Sequence, residues 1–174
     1  MAQRVIERPG ADEYAPYYGT YVSLVPDGDI LALLSEQMED TLALFGGLSE
    51  AQAASRYAPD KWSIKEVCGH IIDAERIFAY RALRFARGDQ QPLAGFEQEG
   101  YIRNASFDSC SMKDLSEELD FVRRSTISLF KNLDGAAWYR RGVASEAEVS
   151  VRALAYIIAG HERHHVGVIR TRYI

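Results

Sequence analysis

Ser63 and Glu66 stand directly after Trp62, at the start of a run in which Ile64, Val67, Cys68, Ile71, Glu75, Phe78, Ala82 and Phe85 recur at helical spacing. The pattern S-x-x-E is a capping box: each side chain satisfies a backbone donor of the other residue, and Gly88 supplies the stop. A helix of this length carries an apolar stripe that it cannot bury alone. It must be covered by elements of comparable length, and the rest of the chain offers them.

Asp29 can cap a helix running to about Phe45, with Ile30, Leu33, Leu34, Met38, Leu42 and Phe45 on one face and Gly46-Gly47 as its end. A short helix from Ser49 to about Arg56 follows, closed by Pro59. Ser111 with Asp114 opens another long helix carrying Leu115, Leu119, Val122, Ile127, Leu129, Phe130 and Leu133, which stops at Asp134-Gly135. Ser150 caps a last helix that runs nearly to the end of the sequence. Residues 89–109 hold Pro92, Gly95 and Gly100 and read as a long connection.

Four long amphipathic helices with two generous connections predict an all-α chain, a four-helix bundle with at least one crossover connection. The 174 residues fit one domain, with residues 1–28 as an N-terminal arm. Tyr14, Tyr17, Tyr18 and Tyr21 lie in that arm among Pro and Gly, and are expected to pack their rings on the core. A tyrosine reaching a functional site is the alternative.

A net charge of -5 argues against nucleic acid as a partner, since phosphate contacts need clustered positive charge. Arg76, Arg84 and Arg87 fall on the expected solvent face of their helix. No stretch approaches the ~18 uninterrupted apolar residues of a membrane span. The polar start, Met1 to Gly10, reads as neither a signal nor a transit peptide, and Cys68 and Cys110 read as reduced thiols. A cytoplasmic location is expected.

The chemistry concentrates in the last helix, at His161-Glu162-Arg163-His164-His165. His161 and His165 are about 40° apart around the axis and one turn apart along it, in the middle of the stripe formed by Leu154, Ile157, Ile158 and Val168. Two buried imidazoles there need partners for their nitrogens, and a shared metal ion satisfies one nitrogen of each. His164 lies toward the margin and is the weakest ligand of the three. The five residues also spell H-E-x-x-H, the zinc-peptidase pattern with Glu162 as general base. Residues 166–174 hold no His, Asp, Glu or Cys, however, so a third ligand must come from elsewhere in the fold. Helical geometry also puts Glu162 on the flank of the stripe, a position suited to pairing with a neighbouring helix. His70 is the remaining histidine, on the capped helix beside its core stripe. Asp73, three residues on, can support an imidazole by a hydrogen bond or stand as a plain surface carboxylate. Cys68 points about 200° away from His70 and reads as a small core residue.

The segment Trp62-Ser63-Ile64-Lys65-Glu66-Val67-Cys68-Gly69-His70-Ile71-Ile72-Asp73 resembles the W-S-x-x-E-x-x-x-H-x-x-D stretch of the DinB/YfiT-like superfamily. His161 to His165, followed by Val166-Gly167-Val168-Ile169, is similar to that family's closing H-x-x-x-H helix. The resemblance spans the chain from about residue 29 onward. It implies a four-helix bundle, often dimeric, in which His70, His161 and His165 hold a divalent ion with open positions. It also implies either a transferase joining a low-molecular-weight thiol such as bacillithiol or mycothiol to an electrophile, or a small-substrate hydrolase. Imidazole ligands suit Zn²⁺ and Ni²⁺ alike. A non-catalytic metal-binding or dimerisation bundle and a zinc peptidase are the rival readings. The expected partners are a small-molecule substrate and a second copy of the chain.

Overall fold

The computed structural model describes residues 6–174; the first five residues of the N-terminal arm lie outside it. The arm is less extended than its Pro and Gly content suggests. Two single 3-10 turns, Ala11–Glu13 and Pro16–Tyr18, lead into the short helix α1, Gly19–Val22. Then come α2 (Ile30–Gly46), the short α3 (Glu50–Ala53) and α4 (Ile64–Ala86). A seven-residue helix, α5 (Gln98–Asn104), precedes α6 (Met112–Lys131), and a hairpin of β1 (Arg141–Ala144) and β2 (Ala147–Ser150) leads directly into α7 (Val151–Arg172).

The expected caps are in place. Asp29 accepts from the Leu31 N–H at 2.8 Å, Ser111 from Asp114 at 3.0 Å, and Ser150 from Ala153 at 3.0 Å. At the head of α4, Ser63 Oγ accepts from the Glu66 N–H at 3.0 Å while the Ser63 N–H donates to Glu66 at 2.7 Å, closing both halves of the box. Gly88, at φ +80°, takes the left-handed conformation that ends the helix beyond Arg87.

Two connections hold structure that the sequence reading left out. Residues 89–109 contain α5 and a 3-10 turn, Phe107–Ser109, where a plain connection was expected. α5 is too short to show helical periodicity, and its start is capped by Glu97, which is not a usual capping residue. The β1–β2 hairpin was also unforeseen. Its two-residue turn is Ser145-Glu146, both at positive φ (52° and 64°), where Asn or Gly normally stands. The hairpin signal was therefore absent from the residues that carry the turn.

α4 packs against α6 and α7, and α2 packs against the same two helices. The consecutive long helices α2 and α4 thus occupy diagonal positions, and the chain between them crosses over instead of making a tight up-and-down turn. Two apolar clusters fill the interior. One gathers Leu34, Phe78, Phe85, Phe130, Trp138, Leu154 and Ile158; the other gathers Phe45, Ile64, Ile72, Leu115, Leu119 and Ile169. On every long helix a buried polar residue falls between the two clusters: Gln37 on α2, Glu75 on α4, Arg123 on α6 and Glu162 on α7. This polar layer crosses the bundle where the histidines of α7 begin.

Candidate metal centre

α4 and α7 lie side by side, which brings His70 to the histidine pair of α7. The Nε2 atoms of His70 and His161 are 3.0 Å apart, and those of His165 and His161 are 3.2 Å apart. The ligand atoms of all three lie within 4.8 Å of one another. His70 and His161 are buried and His165 is nearly so. Around them Trp62 sets its ring 5.0 Å from His70, and Tyr21 meets His161 edge-on at 5.3 Å.

Burial decides the protonation of the cluster. It lowers the His70 imidazole to about 4. Burial, helped by the neighbouring imidazoles, lowers His165 to about 3 and holds His161 well below the usual histidine range. All three rings are therefore neutral at pH 7. With the ring protons on Nδ1, neutral imidazoles turn only lone pairs toward one another where their Nε2 atoms meet. A cation fits that donor set. With metal–nitrogen distances of about 2.0–2.1 Å, ligand nitrogens stand about 2.9 Å apart at right angles and about 3.4 Å apart at the tetrahedral angle. Two of the three separations, 3.0 and 3.2 Å, fall between these limits, while the set as a whole spans up to 4.8 Å, so His70 and His165 would draw together on a shared ion.

The other residues singled out in the sequence take different places. His164 is exposed, its ring 5.1 Å from His165 and 5.5 Å from Tyr21, and it stays outside the converging set. Asp73 makes no hydrogen bond to His70; its carboxylate lies 3.9 Å from Arg76. Glu162 is buried and accepts from Arg123 at 2.6 Å and from Gln37. Arg123 also donates twice to Glu75, at 2.7 and 2.9 Å. Cys68 is wholly buried in the second apolar cluster, and burial raises its thiol pKa, so it remains a protonated core side chain. Arg76 and Arg87 are exposed as expected, whereas Arg84 is half-buried beside Asp89 and Tyr80.

Among the described residues, two clefts reach the histidines. One, of about 250 Å³, is walled by Trp62, Glu99, His164, His165 and Tyr173. The other, of about 270 Å³, is walled by Tyr17, Tyr18 and Tyr21 of the arm, Glu97 and Ser145, with His70 and His161. The segment Glu97 to Glu99 contributes to both, and Glu99 accepts from the Trp62 indole N–H at 3.3 Å. Ser145 is fixed from below by buried Arg81, which donates to its Oγ and to the Ala94 carbonyl at 3.0 Å each. The sequence reading missed this wall. Glu97, Glu99 and Ser145 stand in segments without periodicity, and only their nearness in space links them to the histidines. Arg123 was more accessible to sequence reasoning, since a charged residue four positions after Leu119 and seven before Phe130 interrupts an apolar stripe.

The sequence profile of the DinB superfamily matches residues 33–169. The chain belongs to the DinB superfamily. No curated protein matches it. Among solved structures it is similar to YfiT from Bacillus subtilis, described as a probable metal-dependent hydrolase with an unusual four-helix bundle topology. The TM-score is 0.67 at 11% identity, over 94% of this chain and 90% of that one, so the likeness is one of fold. Among the described residues no helix is long and apolar enough to cross a membrane.

Proposed function

We propose that this DinB-superfamily protein is a divalent-metal enzyme in which His70, His161 and His165 hold Zn²⁺ or Ni²⁺. Its activity is transfer of a low-molecular-weight thiol to an electrophile, or hydrolysis of a small substrate. The observation that carries this reading is the convergence of three neutral imidazoles, two buried and one half-buried, where two clefts meet. An ion bound there supplies Lewis acidity, which makes a thiol or water nucleophilic at neutral pH. The chain's own residues do the rest. His70, His161 and His165 present uncharged donors, Trp62 and Tyr21 pack on the imidazoles, and the polar layer behind α7 holds that helix in register. Two clefts leave room for two reactants, which favours the transferase within the pair.

Glu162 supports a structural part for itself. Its charge is paired with Arg123 inside the bundle, an arrangement suited to holding α7 against α6 and not to exchanging protons with a substrate. The proposed working form is a cytoplasmic homodimer. Loading the protein with Zn²⁺ or Ni²⁺ and offering bacillithiol, mycothiol or glutathione with a chromogenic electrophile tests the function, with casein hydrolysis run in parallel. Metal-dependent loss of free thiol is expected. Casein cleavage without thiol transfer would replace this reading with a peptidase.

A further inference from the structure

The larger of the two clefts owes its shape to the arm. A Cβ on Gly160 would stand 2.0 Å from the Tyr21 carbonyl oxygen, so only glycine lets α1 lie this close to α7, one residue before His161. Seated there, Tyr21 is buried with its ring on His161 and His164. Its hydroxyl meets that of Tyr17 at 2.8 Å, and both residues line the cleft that holds His70 and His161. Each phenol carries one proton and can also accept. One proton joins the pair, and the second has no acceptor among the described residues. Glu97 lines the same cleft but accepts from the Glu99 and Gly100 N–H groups, at 2.8 and 2.7 Å, and from neither phenol. The pair, lining the cleft, thus has a donor to offer an oxygen that enters beside the histidines.

We propose that Tyr17 and Tyr21 form an oxygen-binding subsite of the histidine centre. The pair donates one hydrogen bond to a carboxylate or carbonyl oxygen of a ligand bound next to His70 and His161, and so selects substrates with an oxygen acceptor close to the reacting atom. This inference rests on the metal-enzyme reading above and adds the chemical class of one substrate group. Tyr17, 64% exposed, meets Tyr21 from the solvent side.

The test uses the full chain loaded with Co²⁺, with acetate titrated against the visible absorption of the cobalt. Tyr21→Phe should keep its cobalt content and melting temperature while binding acetate about tenfold more weakly, the effect of losing one hydrogen bond to a charged acceptor. Tyr17→Phe, at an exposed site that the fold does not depend on, should weaken acetate severalfold, and Tyr80→Phe on the outer face of α4 should change nothing. Wild-type acetate affinity in cobalt-loaded Tyr21→Phe and Tyr17→Phe would overturn the subsite and leave the metal centre standing. Failure of the wild type to take up Co²⁺, Zn²⁺ or Ni²⁺ would overturn both.

Discussion

One guanidinium nitrogen of Arg123 lies 2.6 Å from a carboxylate oxygen of Glu162, with both side chains about 1% exposed. The glutamate of the H-E-x-x-H pentapeptide is therefore committed to the bundle interior, where it shares Arg123 with Glu75. Two carboxylates share one guanidinium, and Gln37 adds a further donor to Glu162. The same helix turn thus carries two kinds of chemistry on adjacent faces, histidines toward α4 and an ion pair toward α6.

Breaking that pair is expected to cost stability before it costs anything else. Arg123→Ala leaves two carboxylates without their buried cation, and removing one partner of a buried pair typically destabilises by about 3–5 kcal/mol. Urea unfolding of the variant should show a midpoint lowered to match. A change under about 1 kcal/mol would mean that water reaches the layer.

Metal content should follow the convergence of ligand atoms and not the pentapeptide. His70→Ala, His161→Ala and His165→Ala should each lose most of the bound metal, while His164→Ala keeps it, as read by elemental analysis of untagged protein. Equal metal in wild type and His70→Ala would remove α4 from the site.

Much of this was legible in advance because it is periodic. The caps at Asp29, Ser63, Ser111 and Ser150 and the four stripes between them gave the helices and, from connection lengths, the crossover. The i, i+4 histidines and the W-S-x-x-E-x-x-x-H segment singled out the three residues that α4 and α7 bring together. What escaped was aperiodic. Glu97 starts a helix of under two turns, Ser145 turns a hairpin without glycine or asparagine, and Tyr21 sits beside Gly160 for a steric reason that no spacing in the sequence expresses.

Acid should weaken the metal-free protein in a window set by the histidines. Burial depresses the His70 imidazole to about 4 and the His165 imidazole to about 3, against about 6.5 in an unfolded chain. Between those values the unfolded chain binds more protons than the native one, so stability rises with pH. The native state is fully favoured above about pH 6.5 and loses ground as pH falls toward 4. Melting temperatures at pH 7.5, 6.5, 5.5 and 4.5 should be level at first and then drop, with a shallower drop in His70→Phe. A flat profile down to pH 4.5 would mean that the imidazoles are hydrated in the native state.

The size of the working particle follows from proposed dimerisation. The chain has a mass of 19.5 kDa, so a homodimer weighs about 39 kDa. Light scattering at micromolar concentration should give the larger figure, and a monomeric mass would refute it.

Glu162→Gln separates the two enzyme classes. In a zinc peptidase the glutamate acts as general base, and its loss typically costs about 10²–10⁴ in rate. In a thiol transferase the nucleophile is already ionised, and the glutamate's work is to pair with Arg123. Gln keeps the shape and one acceptor for the guanidinium but lacks the charge, so the variant should lose some stability while metal content and thiol transfer stay within about tenfold of wild type. His165→Ala, in contrast, should lose both. Stability and activity then move independently, and that split is what a purely structural glutamate requires. A fall in thiol transfer beyond a hundredfold in a folded, metal-loaded Glu162→Gln would show that the carboxylate acts on the substrate despite its partner on α6.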